Sequence, residues 1–159
     1  KLMRNIIIKC SLILLFIALS NCGFKVLDNL ESNFSIREIN ASGDKRINFK
    51  IKNNLIVNSS KNKINSLALE LNTKKTKTIK EKNIKNEITK YEISLKSIIK
   101  LNFLENNEEK QFTATSTGNY SVGDKYSKTL RNEKRLIDDL TSDLSKQILS
   151  RIKLLLNDI

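Results

Sequence analysis

The chain has 159 residues, a formal net charge of +12, and no histidine, proline or tryptophan. Without an imidazole there is no Ser-His-Asp or Cys-His arrangement and no His-ligated metal, and two cysteines cannot supply an all-cysteine zinc site. The four glycines, at 23, 43, 118 and 123, make no phosphate-cradling GxGxxG or Walker-type loop.

The charge has two sources. The chain is rich in lysine (23), asparagine (20) and isoleucine (21), and all three have A/T-rich codons, so part of the charge is compositional. The remainder, with a pI near 9.7, points to phosphate-bearing or otherwise anionic partners. Only six residues are arginine, the bidentate reader of phosphate and guanine, which slightly weakens a nucleic-acid reading; the export signal below argues against it.

The amino terminus reads as an export signal. Lys1, Arg4 and Lys9 form a basic region, and an apolar or small run from Cys10 to Leu19 follows. That run is far short of the roughly 20 residues of a spanning helix and has the layout of a secretory signal. Its end, Leu19-Ser20-Asn21-Cys22, resembles the lipobox of bacterial lipoproteins, with Asn21 where Gly, Ala or Ser is usual. The resemblance implies that the Cys22 sulfur takes a diacylglycerol. Cleavage between Asn21 and Cys22 then frees an amine for a further acyl chain, and several chains together give stable anchoring. Gly23 in place of Asp after the lipidated cysteine implies the outer membrane. Loss of the signal lowers the charge to +9, discards Cys10, and leaves the domain without a disulfide. The expected division is a signal at 1–21, a lipidated tether at 22–33, and one domain at 34–159.

Within that domain, Phe34 to Ile39 is expected to form a short strand, and Ala41-Ser42-Gly43-Asp44 a turn with Ser42 or Asp44 capping a helix. Ile47, Ile51 and Leu55 fall on one helical face, with Phe49 and Ile56 broadening it, and the asparagine- and serine-rich stretch after 53 ends the helix near 58. Leu67, Leu69 and Leu71 begin a polar–apolar alternation, which from Lys74 to Lys85 becomes a basic run, either a mobile hairpin tip or a strand extension. The clearest strand is 91–103, with Tyr91, Ile93, Leu95, Ile99, Leu101 and Phe103 on one side. After a turn at 105–109, residues 112–122 alternate again, with Thr113, Thr115 and Thr117 outward. A long helix from about 126 to 156 carries Leu130, Ile137, Leu140, Leu144, Ile148, Ile152 and Leu155 inward, and Asp138, Asp139, Asp143, Lys146 and Arg151 toward solvent. Adjacent Asp138 and Asp139 diverge by about 100° on a helix and make neither a glycosidase pair nor a metal site. The order β-α-β-β-β-α predicts an α+β two-layer sandwich, a four-stranded, mostly antiparallel sheet with two helices on one face.

Three features together resemble the LPS-assembly lipoprotein LptE family. Cys22-Gly23-Phe24 with Leu27 is similar to the family's mature start. The element order agrees across almost all of 22–159. Tyr120-Ser121-Val122-Gly123-Asp124-Lys125-Tyr126-Ser127 resembles the family's junction between last strand and last helix. The resemblance implies a non-enzymatic protein without cofactor beyond the acyl chains on Cys22. It would sit in the outer membrane, plug an LptD-type β-barrel and assist lipopolysaccharide transport. An accessory lipoprotein of an ABC-type lipid transporter is the alternative.

Lys74, Lys75, Lys77, Lys80, Lys82 and Lys85 are the best candidates for lipopolysaccharide, since lysines donate charge-assisted hydrogen bonds to its phosphates and carboxylates. A solvated face in a lysine-rich chain accounts for the same run equally well. Tyr120 and Tyr126 are candidates for the barrel contact, with packing at the core or its rim as the competing role.

Overall fold

A computed structural model describes residues 34–60 and 65–157. The export signal, Cys22 and the tether expected at 1–33 lie outside the described residues. The elements are β1 (Phe34–Gly43), α1 (Lys45–Val57), β2 (Asn65–Lys82), β3 (Ile88–Phe103), β4 (Glu108–Ser121) and α2 (Tyr126–Asn157). The sheet order is β1-β2-β3-β4. β1 lies parallel to β2 across the α1 connection, and the other two pairings are antiparallel. This is the expected α+β sandwich, with both helices contributing to one core on one face of the sheet.

The alternation of β3 explains the core. Ile93, Leu95, Ile99 and Leu101 are fully buried, and Leu67, Leu69 and Leu71 of β2 stand beside them. The one polar residue in the apolar row, Ser97, pairs in register with Thr73, and their hydroxyls lie 2.9 Å apart. A buried hydroxyl is thus matched by another rather than left orphaned. On α2, Leu140, Leu144, Ile148 and Ile152 are buried, while the buried Thr141 and Ser145 donate back to carbonyls one turn earlier. α2 approaches β4 closely at Gly118, where an added Cβ would stand 2.8 Å from a Leu136 methyl.

Several local expectations change. β1 runs on to Gly43 instead of stopping at Ile39, because its parallel ladder with β2 continues to the Gly43–Thr73 pair. Phe49 and Ile56 do not widen the α1 stripe and are 65% and 46% exposed. At 100° per residue Phe49 points about 160° away from Ile47 and Ile51, beyond the reach of the sheet. Leu130 is 47% exposed, since the first turns of α2 run beside a basic stretch of β2. Asp138 and Asp143 are not simply solvated: Asp138 pairs with Lys50 of α1, and Asp143 accepts from Ser116 at 2.7 Å and Gln147 at 2.9 Å.

The β1–α1 corner is tightly specified. Gly43 has φ +90°, and a Cβ there would sit 2.1 Å from the Thr73 carbonyl oxygen, which accepts from the Asp44 N–H at 2.9 Å. Asp44 then caps α1, its Oδ1 accepting from the N–H groups of Arg46 and Ile47, each at 3.1 Å. Gly43→Ala should therefore lower unfolding free energy by about 2–4 kcal/mol in urea titration, combining backbone strain with a backbone clash. Phe49→Ala, in the exposed face of α1, should stay within about 0.5 kcal/mol of the parent.

Candidate functional site

The basic run is a strand extension, with β2 continuing to Lys82 and a turn at 83–87. Asn83 organises the turn. Its side-chain oxygen accepts from the Lys85 and Glu87 N–H groups at 2.9 and 3.0 Å, and Asn86 takes the left-handed conformation at φ 64°. Ile84 stands fully exposed at the tip.

The strand period divides the six lysines. Beyond the buried Thr73, the helix-side positions of β2 become Lys75 and Lys77, opposite Leu95 and Ile93. Lys74 lies on the other face, directly opposite Lys96. Lys80 pairs with Glu92 at 2.8 Å, and Lys82 donates to the Asn86 side-chain oxygen at 2.9 Å. The Lys85 side chain has no partner among the described residues. The six therefore do not form one patch.

Lys77 is the most structured of them. Its ammonium lies 2.7 Å from a Glu133 carboxylate oxygen, 4.4 Å from the Tyr91 ring centroid and 5.3 Å from that of Tyr120. Tyr91 and Tyr120 are a cross-strand pair, stacked with centroids 5.5 Å apart, and the Tyr120 hydroxyl donates to the same Glu133 oxygen at 2.8 Å. The cation is thus held between a carboxylate and two aromatic faces. Burial works against the Lys77 ammonium, but Glu133 and Tyr120 outweigh it and hold its pKa above the ordinary value. Burial also favours neutral Glu133, yet the hydrogen bonds from Lys77 and Tyr120 win and hold its carboxyl below the ordinary range. Burial chiefly raises the Tyr120 phenol, with Lys77 opposing in part. Tyr120 is therefore a buried, engaged residue, whereas Tyr126, the other tyrosine candidate, is 78% exposed at the start of α2.

Beside this network, a cleft of about 320 Å³ opens between the start of α1, the first half of α2 and Lys75. Its walls alternate in sign. Lys75 lies 3.8 Å from Asp44, and the Lys50–Asp138 and Lys77–Glu133 pairs flank it. An apolar wall comes from Ile47, Leu130 and Ile137. Such a cleft suits an amphiphile with a charged group more than a purely apolar ligand.

Glu133 and Lys96 escaped the sequence reading. Glu133 lies far from the hairpin in sequence, and only the packing of α2 brings it to Lys77. Lys96 was legible in principle, because once the 83–87 turn fixes the hairpin, residues summing to 170 oppose each other as far as the bulge after Ile79.

No protein-family profile matches the chain, and no curated protein is similar to it in sequence. Solved structures are similar in fold. Rare lipoprotein B from Shewanella oneidensis superposes with a TM-score of 0.61 at 13% identity, over 76% of this chain and 97% of that one. The two chains share one fold. The solution structure of the uncharacterized lipoprotein B from Nitrosomonas europaea gives 0.57 at 14% identity, over 85% and 93%. A lipoprotein from Caulobacter crescentus gives 0.53 at 11%, over 76% and 90%.

The Lys77–Glu133 pair carries a pH dependence. The folded Glu133 carboxyl lies below the unfolded value of 4.5, so its stabilisation is fully present above that value and is lost as pH falls through the folded one. The Lys77 side chain is 38% exposed, so solvent screening limits the effect to about 1 kcal/mol or less. Chemical denaturation at pH 7 and pH 3 should show Glu133→Gln to be less stable than the parent at pH 7, with the difference shrinking toward pH 3. An unchanged difference would remove Glu133 as its source.

Proposed function

We propose that this is a non-enzymatic, lipid-anchored protein of the outer membrane that plugs and helps assemble an LptD-type β-barrel and assists lipopolysaccharide transport to the outer leaflet. The observation that carries the reading is the joint occurrence of the rare lipoprotein B fold and a lipobox-like Leu19-Ser20-Asn21-Cys22 at the end of an apolar run. Rare lipoprotein B belongs to the LptE family that the sequence resembles. The second and third similar structures are also described as lipoproteins.

The surface chemistry supports the same reading. A basic hairpin and a cleft with both charged and apolar walls suit a lipid bearing phosphates on sugar, since ammonium groups meet the phosphates and the apolar wall accepts hydrocarbon. Tyr126, exposed beside the β4–α2 junction, supplies an amphipathic side chain of the kind enriched where proteins dock.

Two experiments test this. Metabolic labelling with palmitate should mark the parent protein and not Cys22→Ala, and equal labelling of both would remove the anchor. Affinity capture of the tagged protein from detergent-solubilised outer membranes should recover a large β-barrel in near-stoichiometric amount. Recovery of a transporter permease instead would select the accessory-subunit alternative.

A further inference from the structure

Away from the helices, the sheet presents a polar surface on which lysines are paired with acids by design of register. Lys100 meets Glu70 across β2 and β3 at 3.8 Å, and Lys80 meets Glu92 at 2.8 Å. Between these two rows stands Lys74, directly opposite Lys96. Both are exposed, and among the described residues neither ammonium group has an acid or other hydrogen-bond partner. Like charges facing each other across a ladder destabilise the sheet, and the nearest carboxylates on this face are already engaged by Lys80 and Lys100. Around the two ammonium groups lie short hydroxyl and amide side chains, Asn72 and Thr76 on β2, Ser94 on β3 and Thr115 opposite Lys96 on β4, with Ile98 as the apolar neighbour on β3.

We infer that Lys74 and Lys96 form an anion site on the open sheet face that takes a phosphate carried on a saccharide, with the flanking hydroxyls and amides bonding the sugar. Two ammonium groups at one cross-strand position match a doubly charged phosphate monoester, whose charge offsets the repulsion between the two lysines. The inference rests on the lipopolysaccharide reading above and assigns the phosphates of that lipid to this face, leaving its hydrocarbon to other surfaces.

The full-length, detergent-solubilised lipoprotein should be titrated with lipopolysaccharide and with the same material dephosphorylated by hydrofluoric acid. Lys74→Gln/Lys96→Gln should weaken binding of the phosphorylated form about tenfold or more at low salt and leave binding of the dephosphorylated form unchanged. Lys74→Arg/Lys96→Arg should restore most of the affinity. Lys146→Gln/Arg151→Gln, which removes the same charge from the exposed face of α2, should change it by less than twofold. The double glutamine variant should melt at the same temperature as the parent or higher, because it relieves the lysine pair, so weaker binding cannot come from unfolding. Equal affinity of that variant and the parent overturns the site, as does an equal loss on both forms of the lipid. A parent that binds no lipopolysaccharide yet still captures a barrel overturns the site while leaving the barrel reading standing.

Discussion

The β2–β3 register is the constraint on which the rest of the molecule depends. Leu67, Leu69 and Leu71 lie opposite Phe103, Leu101 and Ile99, and that alignment fixes which side chains of the whole hairpin face the helices. A slip of one residue would send Leu67, Leu69 and Leu71 to the open face and bring Glu70, Asn72 and Lys74 toward the core. The apolar half of the hairpin therefore determines the positions of the charges in its basic half, where local hydrophobic signal is weak. Lys75 and Lys77 face α2 because Leu71 does; Lys74 faces away because Asn72 does.

The two faces use their lysines differently. On the helix side three ammonium groups are given a counter-charge from a distant part of the chain: Asp44 for Lys75, Glu133 for Lys77, Asp138 for Lys50. Two of these pairs connect the sheet to the helix layer, Lys75 to the start of α1 and Lys77 to α2, and the third, Lys50–Asp138, ties α1 to α2. They are partly exposed, so each contributes little alone. Their effect is positional: Lys77–Glu133 holds the early turns of α2 against the basic half of β2, and the other two fix the start of α1 and its packing on α2. On the other face the pairs are local cross-strand neighbours, and one row is left uncompensated.

Much of the architecture was legible because its elements are strongly periodic. The alternation of 91–103 and the four-residue spacing of Leu140, Leu144, Ile148 and Ile152 leave little ambiguity, and the element order followed from them. What was not legible depended on distance. The burial of Ile47, Ile51 and Leu55 was readable from spacing, but the exposure of Phe49 required knowing how narrow a contact the sheet offers α1. The strand character of 74–82 could not be read locally, because lysine and threonine fix no face by themselves; β3 imposes it by pairing. The role of Glu133 depended on tertiary packing alone, and the lysine run looked like one cluster because sequence adjacency hides the two-residue period of a strand.

The length of β2 separates the two ends of the domain. The chain enters the sheet at Phe34, which pairs with Asn65 at the first residue of β2, and the turn lies beyond the last, Lys82. Eighteen residues at about 3.3 Å each put some 55–60 Å between these points. That exceeds the roughly 30 Å of a bilayer's hydrocarbon layer. β2 thus works as a ruler: the Ile84 tip is held well over one hydrocarbon thickness from the place where the chain enters the fold, and shortening the hairpin by a few residue pairs would shorten that reach without disturbing the core beneath Leu67 and Leu71.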